Sequence, residues 1–581
     1  MGLNHLLKYL KSYWIAFIIP GILLLFSLVL KASAGPYWQF PDPSYGYLLS
    51  SISIFKSFST TFRDHPGTPL EILGAGIIFL FNLGHSTADS IHNVLLRPEF
   101  YLNAINLALI FLLFISSLIC GSYVYRLSND KYAVLLFQVP LLSFLSLRSY
   151  SFYDYVLPVV TNVSPEPLLI SISCLFNLCF IRLFFAHKDR EKISLALLLG
   201  FICGLGAATR LTFLLFLILP LFVFHWRARF LFIAASVLSF VLWTIPIISS
   251  YSWIGSWVFK LTTHVGGYGS GAVGFVDWHQ YLLNWHSILN RCGFLIAAAF
   301  IALIVSSWQA IRARSIQGTG FIWSTAFCIL LQLSLIAKHY DDHYLVSAIN
   351  LFGSFFVLFY LRLANKRSLL KAGIALCMIL FVAQSLKSAL AYNKQLSQHT
   401  REALQFNGMI HAKYADFMII GINGVPMPVP EIAFFWGNDR DRGEQDELMK
   451  LHSGYLAYFS NSLNVDSIYD TGLYSFEKRL WAADLIAAGS KVIVVVPKGY
   501  DIAQTPYNLL PLEQGKFTNV YFLAGSTDKQ ANDLFEAAMQ LSQNGDYARA
   551  FAVALKSREL RYRPVEKVDL LLSLLYQQMK H

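Results

Sequence analysis

Charged side chains are scarce in this sequence. Asp, Glu, Lys and Arg make up 14% of its 581 residues, whereas a soluble domain usually carries about 25%. Hydrophobic residues reach 56%, and the mean hydropathy is +0.51. The shortage of charge excludes an ordinary soluble enzyme, and the long apolar stretches in its place indicate a membrane protein.

Cysteine is also sparse. The seven cysteines lie in or beside apolar stretches, and their spacing is not that of metal ligands. A disulfide framework and a structural zinc site are therefore not expected.

Acidic residues are fewer than basic ones, with 34 Asp and Glu against 45 Lys and Arg, which gives a formal net charge of +11. A basic excess can indicate a nucleic-acid partner. A membrane protein, however, also collects Lys and Arg in its cytoplasmic loops. We favour the second explanation and expect no nucleic-acid partner.

Eleven apolar runs are long enough, or nearly long enough, to cross a hydrocarbon core of about 30 Å. They lie at 13–31, 101–125, 132–147, 167–185, 193–208, 211–226, 230–248, 293–311, 319–337, 345–361 and 372–390. The run at 70–84 is shorter, and by its length it could either cross the membrane or lie at the interface.

Basic residues decide between these two topologies. If 70–84 does not cross, the basic clusters all lie on the side of the N-terminus, as the positive-inside rule requires. These clusters are Arg126 and Lys131; Lys188, Arg190 and Lys192; Arg227 and Arg229; Arg312 and Arg314; and Arg362, Lys366, Arg367 and Lys371. The sequence thus predicts a multi-pass protein of a bacterial inner membrane, with a cytoplasmic N-terminus, an uncleaved first span and everything after about residue 391 outside.

Three domains are predicted along the chain. Residues 1–395 form a transmembrane domain whose first outer loop, 32–100, contains amphipathic helices near 44–57 and 68–84 that lie along the outer surface. Residues 396–526 form an extracytoplasmic α/β domain, with strands at 417–421, 491–496 and 519–524 and a helix at 480–488. Residues 527–581 form a helical tail that resembles a single tetratricopeptide hairpin or a plain helical cap. The fold class is an α-helical polytopic membrane protein of about eleven transmembrane helices with this α/β domain at its C-terminal end.

Short polar motifs stand at the predicted outer ends of the apolar runs. They are PDPSY at 41–45, DHPGTP at 64–69, NVSPE at 162–166, ATR at 208–210 and KHYDDHY at 338–344. In this order they resemble the GT-C glycosyltransferases, in particular the branch of protein O-mannosyltransferases and lipid A aminoarabinose transferases. The resemblance covers residues 1–395. Pro43 stands where many relatives have a second acidic residue, and Arg210 stands where many have Lys.

The resemblance implies a GT-C-like fold and a glycosyltransferase that moves a hexosyl or pentosyl group. It implies an undecaprenyl- or dolichyl-phosphate monosaccharide as donor, inversion at the anomeric carbon, and a glycan, lipid or protein acceptor outside the cytoplasm. An envelope polysaccharide polymerase or ligase is one alternative. A multi-span lipid or sugar transporter is another, although a transporter usually has polar or broken helices at mid-membrane.

Glycosyl transfer needs a base for the acceptor hydroxyl and cations for the departing phosphate. Asp42 is the candidate base, although Asp before Pro43 is also typical of a turn or helix cap. Arg210 lies between the runs 193–208 and 211–226, each only about 24 Å long at 1.5 Å per residue. It should therefore sit recessed, where a guanidinium can bind a lipid phosphate with two hydrogen bonds. The alternative is an Arg that snorkels to ordinary headgroups.

Lys338 is the candidate for a second phosphate contact. Substrate contacts are predicted for Tyr45, His65, Glu166 and Tyr344; Glu166 competes with Asp154 as the carboxylate that orients the acceptor. The cluster His339, Asp341, Asp342 and His343 could bind a divalent metal, but a hydrated polar turn is the favoured interpretation. No cofactor is therefore firmly predicted.

Overall fold

The computed structural model describes residues 13–60, 66–152, 155–266, 269–312, 319–363, 368–422, 433, 462–465, 473–474, 479–498, 507–516, 518–526, 528–559 and 566–580. The chain divides into two compact units. The first comprises Met1–Ala34, Tyr47–Ser151 and Val156–Leu396. The second comprises Gly35–Gly46, Phe152–Tyr155 and Ser397–His581.

Helices dominate the chain up to residue 413. They are α1 (Ile15–Ala34), α2 (Ser44–Ser57), α3 (Thr68–Phe81), α4 (Thr87–Leu96), α5 (Pro98–Ser128), α6 (Lys131–Gln138), α7 (Pro165–Phe184), α8 (Asp189–Thr209), α9 (Ile218–Leu221), α10 (Trp226–Trp243), α11 (Tyr251–Thr263), α12 (Trp278–Arg312), α13 (Thr319–Lys338), α14 (Val346–Leu363) and α15 (Ser368–Lys413). Within the described residues, six 3₁₀ segments lie between these helices, at Tyr37–Gln39, Val139–Leu145, Val159–Thr161, Leu211–Leu217, Ile245–Ser250 and Asp342–Leu345. Two short strands, β1 (Arg148–Phe152) and β2 (Tyr155–Pro158), form a two-stranded sheet.

Nine helices in the described part of the chain are long and apolar enough to cross a bilayer. They are α1, α5, α7, α8, α10, α12, α13, α14 together with the 3₁₀ turn before it, and α15 from Gly373 onward. The predicted polytopic helical fold is therefore confirmed, whereas the predicted count of about eleven spans is not.

The remaining two predicted spans fold into short mixed helices. The run 132–147 becomes α6 followed by the 3₁₀ segment Val139–Leu145, and the run 211–226 becomes the 3₁₀ segment Leu211–Leu217 followed by α9. A 3₁₀ turn rises about 2.0 Å per residue against about 1.5 Å in an α-helix, so these segments reach roughly 26 Å and 20 Å. Hydropathy finds the apolar run but does not report the change of helix type.

Both helices predicted in the first loop are present, as α2 and α3. For α2 the predicted amphipathic surface position is wrong, because every residue from 44 to 54 is buried. Its small serines allow this close packing: Ser51 lies so near Gly74 of α3 that a side chain at Gly74 would overlap it. In α3 burial changes along the helix: its N-terminal turn is buried, whereas the apolar residues Phe79, Leu80 and Phe81 at its C-terminal end are exposed.

The described residues of the second unit include a mixed seven-stranded sheet. Its further strands are β3 (Met418–Ile422), β4 (Ser462–Val465), β5 (Leu473–Tyr474), β6 (Arg479–Leu480), β7 (Val492–Pro497), β8 (Tyr507–Gln514) and β9 (Thr518–Ser526), in the order β6-β5-β4-β3-β7-β9-β8. Strand β3 runs parallel to β4 and β7, and the other pairs are antiparallel. Strands β3, β7 and β9 are the three that the sequence predicts.

Helix α16 (Ala482–Ala487) precedes β7, as expected from the sequence, and Gly489 follows it with a φ of 77°. A left-handed residue after a helix is the usual position for glycine, because other residues are strained there.

The tail has one helix more than the predicted hairpin. Helices α17 (Asp528–Gln543) and α18 (Tyr547–Glu559) form the hairpin, and α19 (Glu566–Lys580) adds a third helix to it. Ala550 and Ala554 of α18 pack with Leu571 and Leu575 of α19 in one apolar core. The third helix covers an apolar face that a single hairpin would leave in water.

Helices α8 and α10 approach each other at two glycines. Gly200 lies against the backbone of Phe232, and Gly204, one turn later, lies against the backbone of Ser236. The Ser239 hydroxyl of α10 donates a hydrogen bond to the Phe201 carbonyl of α8 at 2.7 Å. Small residues let two apolar helices pack closely without relying on the hydrophobic effect. This contact fixes α8, whose C-terminal end carries Arg210.

We expect Gly204→Ala to destabilise the protein. The added methyl would lie 2.6 Å from Ser239 Cβ and 2.7 Å from the Phe240 nitrogen, and overpacking of this kind costs about 1–3 kcal/mol. The control is Gly293→Ala in α12, where an added methyl meets nothing within 4 Å. Thermal unfolding in detergent measures both. A melting temperature for Gly204→Ala at or above that of the control would contradict the packing described here.

Candidate functional site

Arg210 ends helix α8 inside the first unit. Its backbone N–H closes the last turn with the Gly206 carbonyl at 2.8 Å, and its φ of −160° then turns the chain into an extended conformation. The apolar 3₁₀ segment Leu211–Leu217 follows, and only 3% of Arg210 is exposed. Arg210 is therefore buried in the first unit, and its recessed depth in the membrane stays a prediction from the sequence.

Glu166 is the counter-ion of Arg210. It stands in the first turn of α7, is 2% exposed, and accepts a contact from Arg210 Nη1 through Oε1. Two opposite charges buried together hold each other ionised, whereas either one alone would be strongly unfavourable. The structure thus brings the predicted substrate carboxylate to the predicted phosphate-binding cation. In this position Glu166 fixes the guanidinium. Its predicted contact with substrate stays a prediction from the sequence.

Tyr344 packs on the other side of the same guanidinium. Arg210 Cζ lies 4.8 Å from the centroid of the Tyr344 ring, which is a favourable cation–π distance. Arg210, Glu166 and Tyr344, predicted separately from three motifs, therefore form one contact group.

The turn that carries Tyr344 is held by Asp342. This carboxylate is 2% exposed and pairs with Arg148 Nε at 2.6 Å and with Arg291 Nη2 at 2.9 Å. The Tyr340 hydroxyl also donates to it, and burial together with the Asp342 charge raises the pKa of Tyr340 far above its ordinary value. Asp342 therefore orders the 3₁₀ turn Asp342–Leu345 through its contacts with these three side chains.

Asp341 and His343 face each other next to this network, with His343 Nδ1 at 3.4 Å from Asp341 Oδ1. Burial would raise the pKa of Asp341, but His343, the Asp342 N–H and Arg210 together lower it. Asp341 is therefore an anion near the site. In the described ranges, no group of three His, Cys, Asp or Glu side chains is placed to hold a metal ion.

Lys338 ends α13 and points to the end of another helix. Its Nζ donates to the carbonyls of Leu261 and Thr262, both at 2.7 Å, so it caps the last turn of α11. It also lies 5.1 Å from the centroid of the Phe275 ring. An ammonium has three donors, and these two bonds leave one for a ligand.

His339 is a neutral neighbour of this cation. Its Nε2 lies 3.2 Å from the Leu261 carbonyl, and burial and Lys338 lower its pKa below the ordinary value. At neutral pH the positive charge beside the end of α11 therefore belongs to Lys338.

Arg210, Lys338 and Tyr344 line one cavity of about 360 Å³ in the first unit. The other lining residues are Leu211, Thr212, Leu214, Leu215, Trp257, Val258, Leu261, Thr262, Phe275, Gln332, Leu335, Ile336, His339 and Ser347. Most of this wall is apolar. Two cations in an apolar cavity within a helix bundle suit an anionic group attached to an apolar chain.

The structure does not test the roles of the first-loop residues. Asp42 is half-buried just before α2, and Tyr45 is buried in the first turn of α2; both belong to the segment Gly35–Gly46 of the second unit. His65 and Asp154 lie outside the described residues. The assignments of Asp42, Tyr45 and His65 stay predictions from the sequence.

Several residues of the site were not singled out from the sequence. They are Arg148, Arg291, Tyr340 and the cavity residues Thr212, Gln332 and Ser347. Gln332 and Arg291 carried a usable signal, since a polar residue within an apolar helix of a membrane protein is uncommon and often functional. Arg148, at the start of β1, carried no comparable signal, and Tyr340 was noted only as part of the motif KHYDDHY at 338–344.

No protein family matches the chain, and a search of curated proteins finds no match. Among solved structures, it is similar to a lipid A aminoarabinose transferase of the GT-C class. That protein is ArnT from Cupriavidus metallidurans, with one structure bound to undecaprenyl phosphate and one in the apo state. Sequence identity is 13% in both cases, the TM-scores are 0.47 and 0.48, and the alignments cover 86% of this chain and 98% of ArnT.

The buried Arg210–Glu166 ion pair should be important for the stability of the protein. Glu166→Ala leaves a buried cation without its counter-ion and should lower the free energy of unfolding by about 3–5 kcal/mol. Replacing both partners, by Arg210→Met with Glu166→Leu, should recover much of that loss, because no unpaired charge remains. Thermal unfolding in detergent compares the three proteins. Wild-type stability of Glu166→Ala would show that the pair is not buried as described.

Proposed function

We propose that the protein is a glycosyltransferase that moves a sugar from a polyprenyl-phosphate donor to an acceptor at the outer face of the membrane. The observation that carries the proposal is the apolar cavity with Arg210 and Lys338 in its wall. A polyprenyl-phosphate sugar combines an apolar chain, an anionic phosphate and a polar ring. The apolar wall of the cavity suits the chain, and Arg210 and Lys338 suit the phosphate.

The phosphate is held chiefly by Arg210. Glu166 takes Nη1, and the buried Nε has no hydrogen-bond partner among the described residues. A guanidinium has five N–H donors, so the edge away from Glu166 is free for two phosphate oxygens. Lys338, in the wall of the same cavity, contributes its third N–H to the phosphate. These contacts strengthen as the phosphate gains negative charge, which favours its departure.

The reaction joins the acceptor oxygen to the anomeric carbon and breaks the bond from that carbon to the phosphate oxygen. The polyprenyl phosphate leaves with the bonding electron pair, and the proton of the acceptor hydroxyl passes to a carboxylate. From its motif, Asp42 is the base. Attack from the face opposite the phosphate gives inversion of configuration.

Release of polyprenyl phosphate separates this function from its rivals. The purified protein is incubated in detergent with a synthetic polyprenyl-phosphate sugar and with an envelope extract as the acceptor source. A glycosyltransferase releases the lipid phosphate, whereas a transporter releases none. A polymerase or ligase turns over only with a diphosphate-linked glycan. No release from the monophosphate donor would refute the proposal.

The Arg210 role is tested by Arg210→Lys, because this variant keeps a cation for Glu166. Loss of the bidentate hydrogen bonds to the phosphate should lower kcat/KM by about ten- to hundredfold, which corresponds to one charge-assisted hydrogen bond. The control is Arg182→Lys on α7, where Arg182 pairs with Glu191 and does not line the cavity. Donor KM and kcat are measured in steady state. Full activity of Arg210→Lys would move the phosphate site elsewhere, with Lys338 as the next residue to replace.

The Asp42 role is tested by Asp42→Asn. The amide keeps the size of the carboxylate but accepts no proton at neutral pH, so kcat should fall by about a hundred- to ten-thousandfold, as for other general bases. Binding of polyprenyl phosphate and thermal stability should stay at the wild-type level. Asp189→Asn at the exposed start of α8 serves as the control. Transfer close to wild type by Asp42→Asn would remove Asp42 from the mechanism.

A further inference from the structure

The wall of the cavity contains three polar side chains that the phosphate contacts do not use. Gln332 is 2% exposed, and neither its Oε1 nor its Nε2 has a hydrogen-bond partner among the described residues. The hydroxyls of Ser347 and Thr212, two further lining residues, are buried and equally without a partner within that part of the chain. Buried polar atoms are nearly always hydrogen-bonded in native proteins, so three unpaired groups on residues of one cavity wall are candidates for hydrogen bonds to a ligand.

Each of these residues stands near a residue of the charged group. Thr212 is two residues after Arg210, Ser347 three after Tyr344, and Gln332 six before Lys338. Along an α-helix, six residues span about 9 Å. The polar groups therefore come from the same three chain segments as the charged ones, and the Gln332 position in α13 lies more than one helical turn before that of Lys338.

The chemistry of the three groups selects their ligand. A prenyl chain has no hydrogen-bonding atoms, so it cannot pair an amide and two hydroxyls. A phosphate accepts hydrogen bonds but does not satisfy the Gln332 carbonyl oxygen, which needs a donor. A sugar hydroxyl both donates and accepts, and several hydroxyls lie within one ring.

The charge of the cavity wall also limits which sugars can bind. Arg210 and Lys338 are cations, and no described residue of the lining carries a carboxylate. Two carboxylates described near Arg210 lie outside this lining: Glu166 pairs with Arg210, and Asp341 faces His343. A cationic amino sugar would therefore meet two cations and no carboxylate in the described wall of the cavity, whereas a neutral sugar would meet no such repulsion.

We propose that Gln332, Ser347 and Thr212 form the subsite for the sugar ring of the donor, and that this sugar is a neutral, hydroxyl-bearing monosaccharide. The proposal rests on the proposed function, because the ring is placed by a phosphate bound at Arg210. It goes beyond that function by assigning the sugar-binding residues and the charge of the sugar.

Binding measurements with three lipids test the proposal without any acceptor. The lipids are a short polyprenyl phosphate, the same lipid carrying a neutral hexose, and the same lipid carrying a hexosamine with a free amine. We expect wild-type protein to bind the neutral hexose lipid at least tenfold more tightly than the bare phosphate lipid. The amino sugar lipid should bind more weakly than the neutral one.

Gln332→Met is the diagnostic variant, since Met has a similar volume and lacks both hydrogen-bonding atoms. It should bind the bare phosphate lipid within twofold of wild type but lose the preference for the sugar-bearing lipid. The control is Gln309→Met in α12, because Gln309 is partly buried but does not line the cavity. If Gln332→Met does not fold, Ser347→Ala and Thr212→Val carry the same test.

The results distinguish a failure of the proposed function from a failure of the proposed sugar subsite. If wild-type protein does not bind the bare phosphate lipid, the proposed function fails. If it binds all three lipids equally, water rather than a sugar pairs the three groups, and the subsite is refuted while the phosphate site stands. An equal loss for bare and sugar-bearing lipids in Gln332→Met also refutes the subsite. Preference for the amino sugar refutes the neutral charge.

Discussion

The buried ion pair between Arg210 and Glu166 is the constraint on which the rest of the site depends. Two charges removed from water are tolerated only if they stay in contact, because a small separation leaves each without compensation in a medium of low dielectric. The C-terminal end of α8 and the first turn of α7 must therefore keep a fixed distance. The glycine contacts between α8 and α10 help to supply that rigidity.

A second network, around the buried carboxylate of Asp342, also pairs one acidic side chain with cations. Asp342 is paired with Arg148 and Arg291 and so fixes the 3₁₀ turn that presents Tyr344 to Arg210. In both networks a buried carboxylate positions cationic side chains. The charge left facing the cavity is positive, which suits a phosphate, and the polar groups beyond it are neutral.

The sequence was most informative where a structure depends on neighbouring residues, namely on the length of an apolar run and on the residues that form turns. Helices α2 and α3 and strands β3, β7 and β9 all follow from run length and from glycine and proline positions. It was least informative where packing changes the outcome. The 3₁₀ segments Val139–Leu145 and Leu211–Leu217 look like ordinary spans by hydropathy, and α2 looks amphipathic although it is buried on all sides.

By itself, then, the sequence determined that this chain is a helical membrane protein, and it identified Arg210, Glu166, Lys338 and Tyr344 as residues to examine. Only the tertiary structure decided what these residues do to one another. Glu166 became the partner of Arg210, Lys338 became a cap for α11, and Gln332 was brought into the same cavity. The physical reason is that hydropathy and turn preference are properties of neighbouring residues, whereas an ion pair or a cavity wall forms between segments far apart in the chain.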